Sequence, residues 1–365
     1  MAIFEARPVI RNVVRIDRKN RQSIVLMSLV IIALLVTGIA LLSLAVPGNY
    51  SIEGTAGAGV FGWATGILAF TLGIRHAFDA DHIVAIDNTT RKLAGEGKRA
   101  MGVGFFFSLG HSTIVFVITV VLSLGIAAVN LQLEDSGSLL HRITDIVGPS
   151  VSALFLLAIA VINTVATIAM VRAFRGAHTG GFDEERFEDE LNKRGLMSRI
   201  FGRLIQRVDA SWKIYPIGVL FGLGIDTATE VTLLVVSGVA GLGGLPCWAV
   251  LSLPLLFAAG MGFFDTLDGV LMNFAYDWAF LTPVRKVYYN VVITVMSVFT
   301  ALVIGLFEVW SVAATSLGWE NPALEWFGSL KFLGFAIAAM LLTTWLIAML
   351  VWRIGRFDEK LAVAI

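Results

Sequence analysis

At least ten ionisable side chains stand inside stretches apolar enough to cross a membrane. Arg75, His76, Asp79, Asp81, His82 and Asp87 fall in one stretch, His111 in the next, Asp226 and Glu230 in a later one, and Asp265 and Asp268 in the one after that. An ionisable group at a helix centre costs roughly 2.5–3.5 kcal/mol on insertion scales, so each requires a partner, a cavity or a function. On a continuous helix, at about 100° per residue, Asp79 lies about 60° from His76 and His82 about 120° in the same sense, so the three share one face. Asp81 points to the other side: either the helix is unwound there, or Asp81 pairs with a basic group or a ring N–H. Asp226 with Glu230 (i, i+4) and Asp265 with Asp268 (i, i+3) each project to one side of their helix.

Two imidazoles at short spacing, a third on the next helix and a ring of carboxylates suit a borderline divalent metal such as nickel, cobalt, copper or zinc. An oxygen-only set would suit magnesium or calcium, and the lack of thiolates within the spans argues against copper(I). The single cysteine, Cys247, excludes internal disulfides and multi-cysteine metal cages. The competing reading is a buried ion-pair network, but one arginine, Arg75, cannot neutralise so many carboxylates, and the excess negative charge calls for a cation or protons.

The elements that must carry these groups follow from hydropathy. Of 365 residues, 57% are hydrophobic and 15% charged, and the mean hydropathy is +0.83. That is too apolar for a water-soluble domain. Stretches of about 20 apolar residues predict eight membrane spans, near 24–46, 58–87, 101–129, 149–171, 215–240, 247–275, 288–313 and 329–351. Of the 27 basic residues, 24 fall in segments on the same side as the N-terminus and only Arg142 in an opposite-side loop, Arg75 and Lys331 lying within spans. The positive-inside rule then puts both termini in the cytoplasm. The expected fold class is an all-α polytopic membrane protein of eight transmembrane helices. Residues 1–365 form one transmembrane domain, with a basic N-terminal segment over 1–23 and a charged cytoplasmic loop over 172–214. The first apolar run is too long for a signal peptide and is expected to be retained. The charged spans, second, third, fifth and sixth, are expected to surround a site, and the other four to face lipid.

Lys plus Arg equals Asp plus Glu at 27 each, which gives no sign of a nucleic-acid partner. No GxxxxGK[ST] loop occurs, so ATP is not used by that route. Gly62 with Gly66 and Gly218 with Gly222 form GxxxG pairs that let helices approach closely. Gly73, Gly110, Gly224 and Gly262, just before the charges, either pack helices or ease unwinding. His141 and His178 read as surface histidines.

RHAFDADHI (75–83), which contains H-x4-D-H, LGHSTIV (109–115), LGIDTATE (223–230) and GMGFFDTLDG (260–269) together resemble the motifs of the nickel/cobalt transporter family, NiCoT, in the family's order. The resemblance implies high-affinity, low-capacity uptake of Ni(II) or Co(II) across the cytoplasmic membrane. It implies that His76, Asp79, Asp81 and His82 bind and select the metal, with His111, Asp226, Glu230, Asp265 and Asp268 as companion residues. The metal is substrate, no cofactor is expected, and the chain is not expected to be an enzyme. Ile225 stands where the family usually has an aromatic residue, and Gly262 to Phe264 also depart from its pattern, both changes bearing on selectivity. Ala2 stands where energy-coupling cobalt and nickel permeases carry a histidine, so no ATPase subunit is expected. The expected partners are the divalent ion and membrane lipid.

In the expected mechanism a hydrated ion enters from outside and sheds water onto His76, His82 and His111, with charge balanced by Asp79 or Asp81. The pairs Asp226/Glu230 and Asp265/Asp268 orient ligands or exchange protons. Two rival readings are a carrier of another divalent cation, such as zinc or manganese, and an intramembrane metallohydrolase prompted by TLDG (266–269). The second lacks HExxH and a general-base glutamate next to a histidine.

Overall fold

A computed structural model describes residues 18–50, 60–123, 208–223, 245–279 and 283–317, together with parts of 146–168, 233–240 and 336–350. Among these residues the protein is helical, without strands. The helices are α1 (Arg18–Ala45), α2 (Trp63–Ala77), α3 (Ala80–Gly95) and α4 (Val103–Ser123). After them come α5 (Pro149–Val165), α6 (Tyr215–Phe221), α7 (Cys247–Val250), α8 (Ser252–Ala279) and α9 (Pro283–Leu317). Prolines stand at helix starts, where a missing N–H is harmless: Pro216 in the first turn of α6 and Pro283 at the head of α9.

Four segments are long and apolar enough to cross a membrane: Arg18–Gly48, Val103–Val121, Cys247–Tyr276 and Thr294–Ala314. They fall on the first, third, sixth and seventh expected spans. The expected fourth span appears as the shorter apolar helix α5. Of the expected fifth, Tyr215–Phe221 is a described helix, and the motif LGIDTATE lies almost wholly outside the described residues. Most of the 172–214 loop and of the eighth span also lies outside them.

The helices sort by polarity. The most apolar stretch of α1 is 17% buried and that of α8 is 67% buried, so the helix carrying Asp265 and Asp268 runs through the centre and the one whose charges are confined to its first turn lies outside. On α1, Met27, Ile31, Gly38 and Leu42 form the buried stripe, while Leu26, Leu29, Val36 and Leu44 are exposed. An apolar helix with an apolar outer face suits a lipid surface rather than water. α8 packs against α1, α2, α3 and α4, and α6 packs against α4.

Glycine sets how close these helices come. A Cβ on Gly73 would overlap the backbone carbonyl of Phe257, and one on Gly260 the backbone of Phe70 and Ile74, which locks α2 to α8. Gly104 lies against the backbone of Asp265 and joins α4 to α8, while Gly110 and Gly218 join α4 to α6. Such small-residue seams replace the hydrophobic driving force that is missing between helices in lipid. Gly73 and Gly110 are therefore packing positions, not sites of unwinding.

Two boundaries differ from those expected. The second span is not one helix over 58–87 but two, because α2 ends at Ala77 and α3 begins at Ala80. Hydropathy does not register the break, since apolar residues of α2 and Ile83–Ile86 of α3 lie on either side of it. In addition, α3 continues to Gly95, so Asn88, Thr90 and Arg91, expected in an inner loop, are buried in a helix. Their polar groups are satisfied within the fold: Arg91 donates to Thr294 of α9 and, at 2.9 Å, to Asn88 Oδ1. Asn163 and Ser297 also donate to that oxygen, each at 2.7 Å. α9 is thus not a purely lipid-facing helix. One side of it bonds α3, and Glu308 accepts a bond from Ser152 at 2.8 Å.

Candidate metal site

The break between α2 and α3 builds the site. Phe78 leaves the helix at φ −95°, ψ 14°, and Asp79 is extended at φ −68°, ψ 142°. Aspartate is a favoured residue at a helix N-cap, and Asp81 in the first turn of α3 complements the positive end of its dipole. Asp79 does not cap with its side chain. Its carboxylate instead lies 2.7 Å from His76 Nδ1. Asp81 turns back on its own helix and accepts the backbone N–H of His82 at 3.0 Å.

Around this break three imidazoles converge. His76 and His82 are 1% exposed and His111 is 2% exposed. The ring centroids are 4.6 Å apart for His76 and His82, 4.7 Å for His76 and His111, and 4.8 Å for His82 and His111. His76 Nε2 and His111 Nε2 are 3.0 Å apart, and one nitrogen from each ring lies within 4.8 Å of the others. Ligands about 2.0–2.1 Å from one ion stand roughly 3.0–3.4 Å apart at adjacent positions, so small ring rotations bring all three onto one ion. Phe107 meets the His82 ring edge-on at 4.8 Å, and Phe257 lies 5.6 Å from His76, so the walls are apolar.

Carboxylates back two of the rings. Asp79 faces His76 Nδ1, and Asp265 of α8 lies 3.5 Å from His82 Nδ1, within ion-pair range but too long for a hydrogen bond. Each Nδ1 is thus turned to an acid, which leaves Nε2 as the donor for metal; this is the carboxylate–histidine arrangement that fixes ring orientation and raises ligand basicity. Two carboxylates also match the charge of a divalent ion, which matters where uncompensated charge is costly. Asp265 is 1% exposed, whereas the Asp79 side chain is 30% exposed, so the cluster is open on the Asp79 side.

The expected site residues therefore divide. His76, His82, His111, Asp79 and Asp265 come together. Asp81 is turned to the His82 backbone N–H, and Asp268 lies one turn past Asp265 on α8. Asp226 and Glu230 lie outside the described residues, as do His141 and His178. The expected single face for His76, Asp79 and His82 is corrected: they meet because the helix breaks between them, not because it continues. Arg75 is not among the ion pairs of the described residues. Sequence reasoning did not connect Asp87 with Tyr276, which donates its hydroxyl to it from α8. The polar run DNTTRK after Ile86 reads as an inner loop by sequence, so nothing in it pointed to that contact.

The family model for the high-affinity nickel-transport protein matches residues 62–351. A nickel transporter of Mycobacterium tuberculosis, NicT, is 48% identical over 338 residues, 92% of this chain and 90% of the relative. The high-affinity nickel-transport protein NixA of Helicobacter pylori is 44% identical over 300 residues, covering 80% and 89%. A cobalt transport protein of Rhodococcus rhodochrous, NhlF, is 42% identical over 312 residues, covering 83% and 86%. No solved structure matches.

Proposed function

The chain belongs to the high-affinity nickel-transport protein family, and from that premise we propose that it is a multi-pass plasma-membrane permease for Ni(II) and Co(II). The observation that carries the reading is the convergence of three buried imidazoles, backed by Asp79 and Asp265, at the break between α2 and α3. Imidazole nitrogen selects borderline transition metals over magnesium and calcium. The cobalt relative favours inclusion of cobalt beside nickel.

In this reading His76, His82 and His111 replace waters of the incoming ion. Asp79, the partly exposed member, meets the hydrated ion first, and Asp265 holds His82 and balances charge. Asp81 positions the first turn of α3, and Asp226 and Glu230 serve as further polar partners from the fifth span. The helix break keeps polar backbone beside the ligands, as discontinuous helices do in other carriers. Eight spans with both termini in the cytoplasm are supported by the charge asymmetry of the loops. No cofactor, ATPase subunit or catalytic step is invoked. The membrane potential favours cation entry by about 2.3 kcal/mol per charge per 100 mV.

The test is radioactive nickel uptake in cells expressing the wild type or His76→Ala, with cobalt, zinc and manganese as competitors. The expected result is saturable uptake, inhibited by cobalt and lost in the variant. Uptake unchanged by His76→Ala, or inhibited by manganese and not by cobalt, would overturn the assignment.

A further inference from the structure

The three imidazoles do not stand on equally fixed ground. His76 and His111 ride on α2 and α4, whose backbones are locked to their neighbours at Gly73, Gly104 and Gly110. His82 rides on α3, which the break at Phe78 and Asp79 separates from α2 and which contains no glycine before Gly95. Where α8 passes α3 at Gly269, a Cβ would meet the side chain of Ile86 at 3.6 Å, an ordinary contact rather than a backbone lock. Asp265 orients the His82 ring, but at 3.5 Å it is too far to fix the helix that carries the ring. A helix turned by about 20° moves an atom at its outer radius of about 5–6 Å by about 2 Å, as much as a metal–nitrogen bond. The rotation and register of α3 therefore decide whether His82 reaches an ion held by the other two rings.

The far side of α3 is where that rotation is fixed. Asn88 lies about 9 Å along the helix from His82 and about 120° round it, on the side away from the imidazoles. It is 4% exposed, and its Oδ1 accepts from Arg91 at 2.9 Å, from Asn163 of α5 at 2.7 Å and from Ser297 of α9 at 2.7 Å. Arg91 can only donate, so the oxygen of the amide faces these partners, and Nδ2 donates to the Val84 carbonyl at 2.8 Å. Arg91 also donates to Thr294 of α9. One buried oxygen thus ties α3 to two helices that bring no donor to the imidazole cluster among the described residues. Buried polar networks of this kind specify one arrangement, because every other leaves donors unpaired.

We propose that Asn88 is a positioning residue for the metal site: by gathering Asn163, Ser297 and Arg91 on one oxygen it sets the rotation of α3 and so holds His82 within reach of the ion. The proposal rests on the transport reading above. Ligands must be held to about 0.5 Å, so a loosened α3 should cost affinity although Asn88 touches no metal.

Nickel binding by purified full-length protein in detergent tests it. Asn88→Ala should weaken tight nickel binding at least about tenfold, and X-ray absorption at saturating nickel should show the loss of one imidazole ring from the first shell. Asn88→Asp keeps an oxygen for all three donors and should restore binding to within about threefold of wild type. Ser152→Ala breaks the bond between α5 and α9 at Glu308, away from α3, and should leave binding within about twofold. If Asn88→Ala does not fold, Asn163→Ala/Ser297→Ala removes the two donors from the partner helices and should give the same loss of affinity and of one ring. Wild-type affinity in the alanine variants, three imidazoles retained in them, or Asn88→Asp no better than Asn88→Ala would overturn the proposal. A wild type that binds no nickel through imidazole would instead overturn the transport reading, so the two failures are distinguishable.

Discussion

His76, His82 and His111 have different supports, and their substitutions should differ accordingly. In the proposed site, replacing His76 or His82 with alanine removes a donor nitrogen and should abolish nickel uptake. Replacing Asp265 with asparagine removes only the acid behind His82, so the apparent nickel affinity should weaken about 10–100-fold with the protein still folded. Saturation curves for uptake distinguish these outcomes, and an unchanged half-saturation in Asp265→Asn would contradict its role. Protons compete with metal for imidazole, whose ordinary pKa is about 6.5, so the half-saturating nickel concentration should rise as pH is lowered from about 7.5 to about 5.5. A flat profile would exclude imidazole as the donor. The residue types and spacing of the H-x4-D-H run, and the histidine of LGHSTIV, made the cluster of three imidazoles legible in the sequence. The partnership of Asp265 with His82 was not legible, since it joins residues 183 positions apart through the packing of two helices.

At the scale of elements, the site depends on a break and on glycine seams. A methyl group on Gly104 would overlap the backbone of Asp265, whereas on Gly262 it would meet nothing closer than Ser108 Oγ at 3.5 Å. Gly104→Ala should therefore lower thermal stability in detergent, by roughly 1–3 kcal/mol, and displace the ligand backing. Gly262→Ala should be neutral or slightly stabilising, since alanine exceeds glycine in helix propensity by about 1 kcal/mol. Equal melting temperatures for the two variants would contradict the packing. The sequence does contain the break: aspartates at 79 and 81 are a helix start signal, masked by the apolar residues on both sides. The extension of α3 to Gly95 was hidden for the opposite reason. Its polar residues look solvent-exposed until α9 and α5 supply Thr294, Ser297 and Asn163 as partners.

For the whole molecule, composition carries the all-helical, membrane-crossing character of the described residues. The central position of α8 and the outer position of α1 follow the charge content of the expected spans. Topology is testable because the chain has one native cysteine, Cys247. In a Cys247→Ser background, a cysteine at His141 should react with an impermeant thiol reagent added to intact cells, and one at His178 only after lysis. Equal labelling of both from outside would contradict eight spans with cytoplasmic termini. The transport account itself rests on nickel being held by imidazole inside the membrane. X-ray absorption at the nickel edge of purified, nickel-loaded protein reads this most directly. The account predicts the multiple scattering of imidazole rings, with a first shell at about 2.1 Å, and its loss in His76→Ala/His82→Ala protein. A first shell of oxygen alone, unchanged by those substitutions, would contradict it.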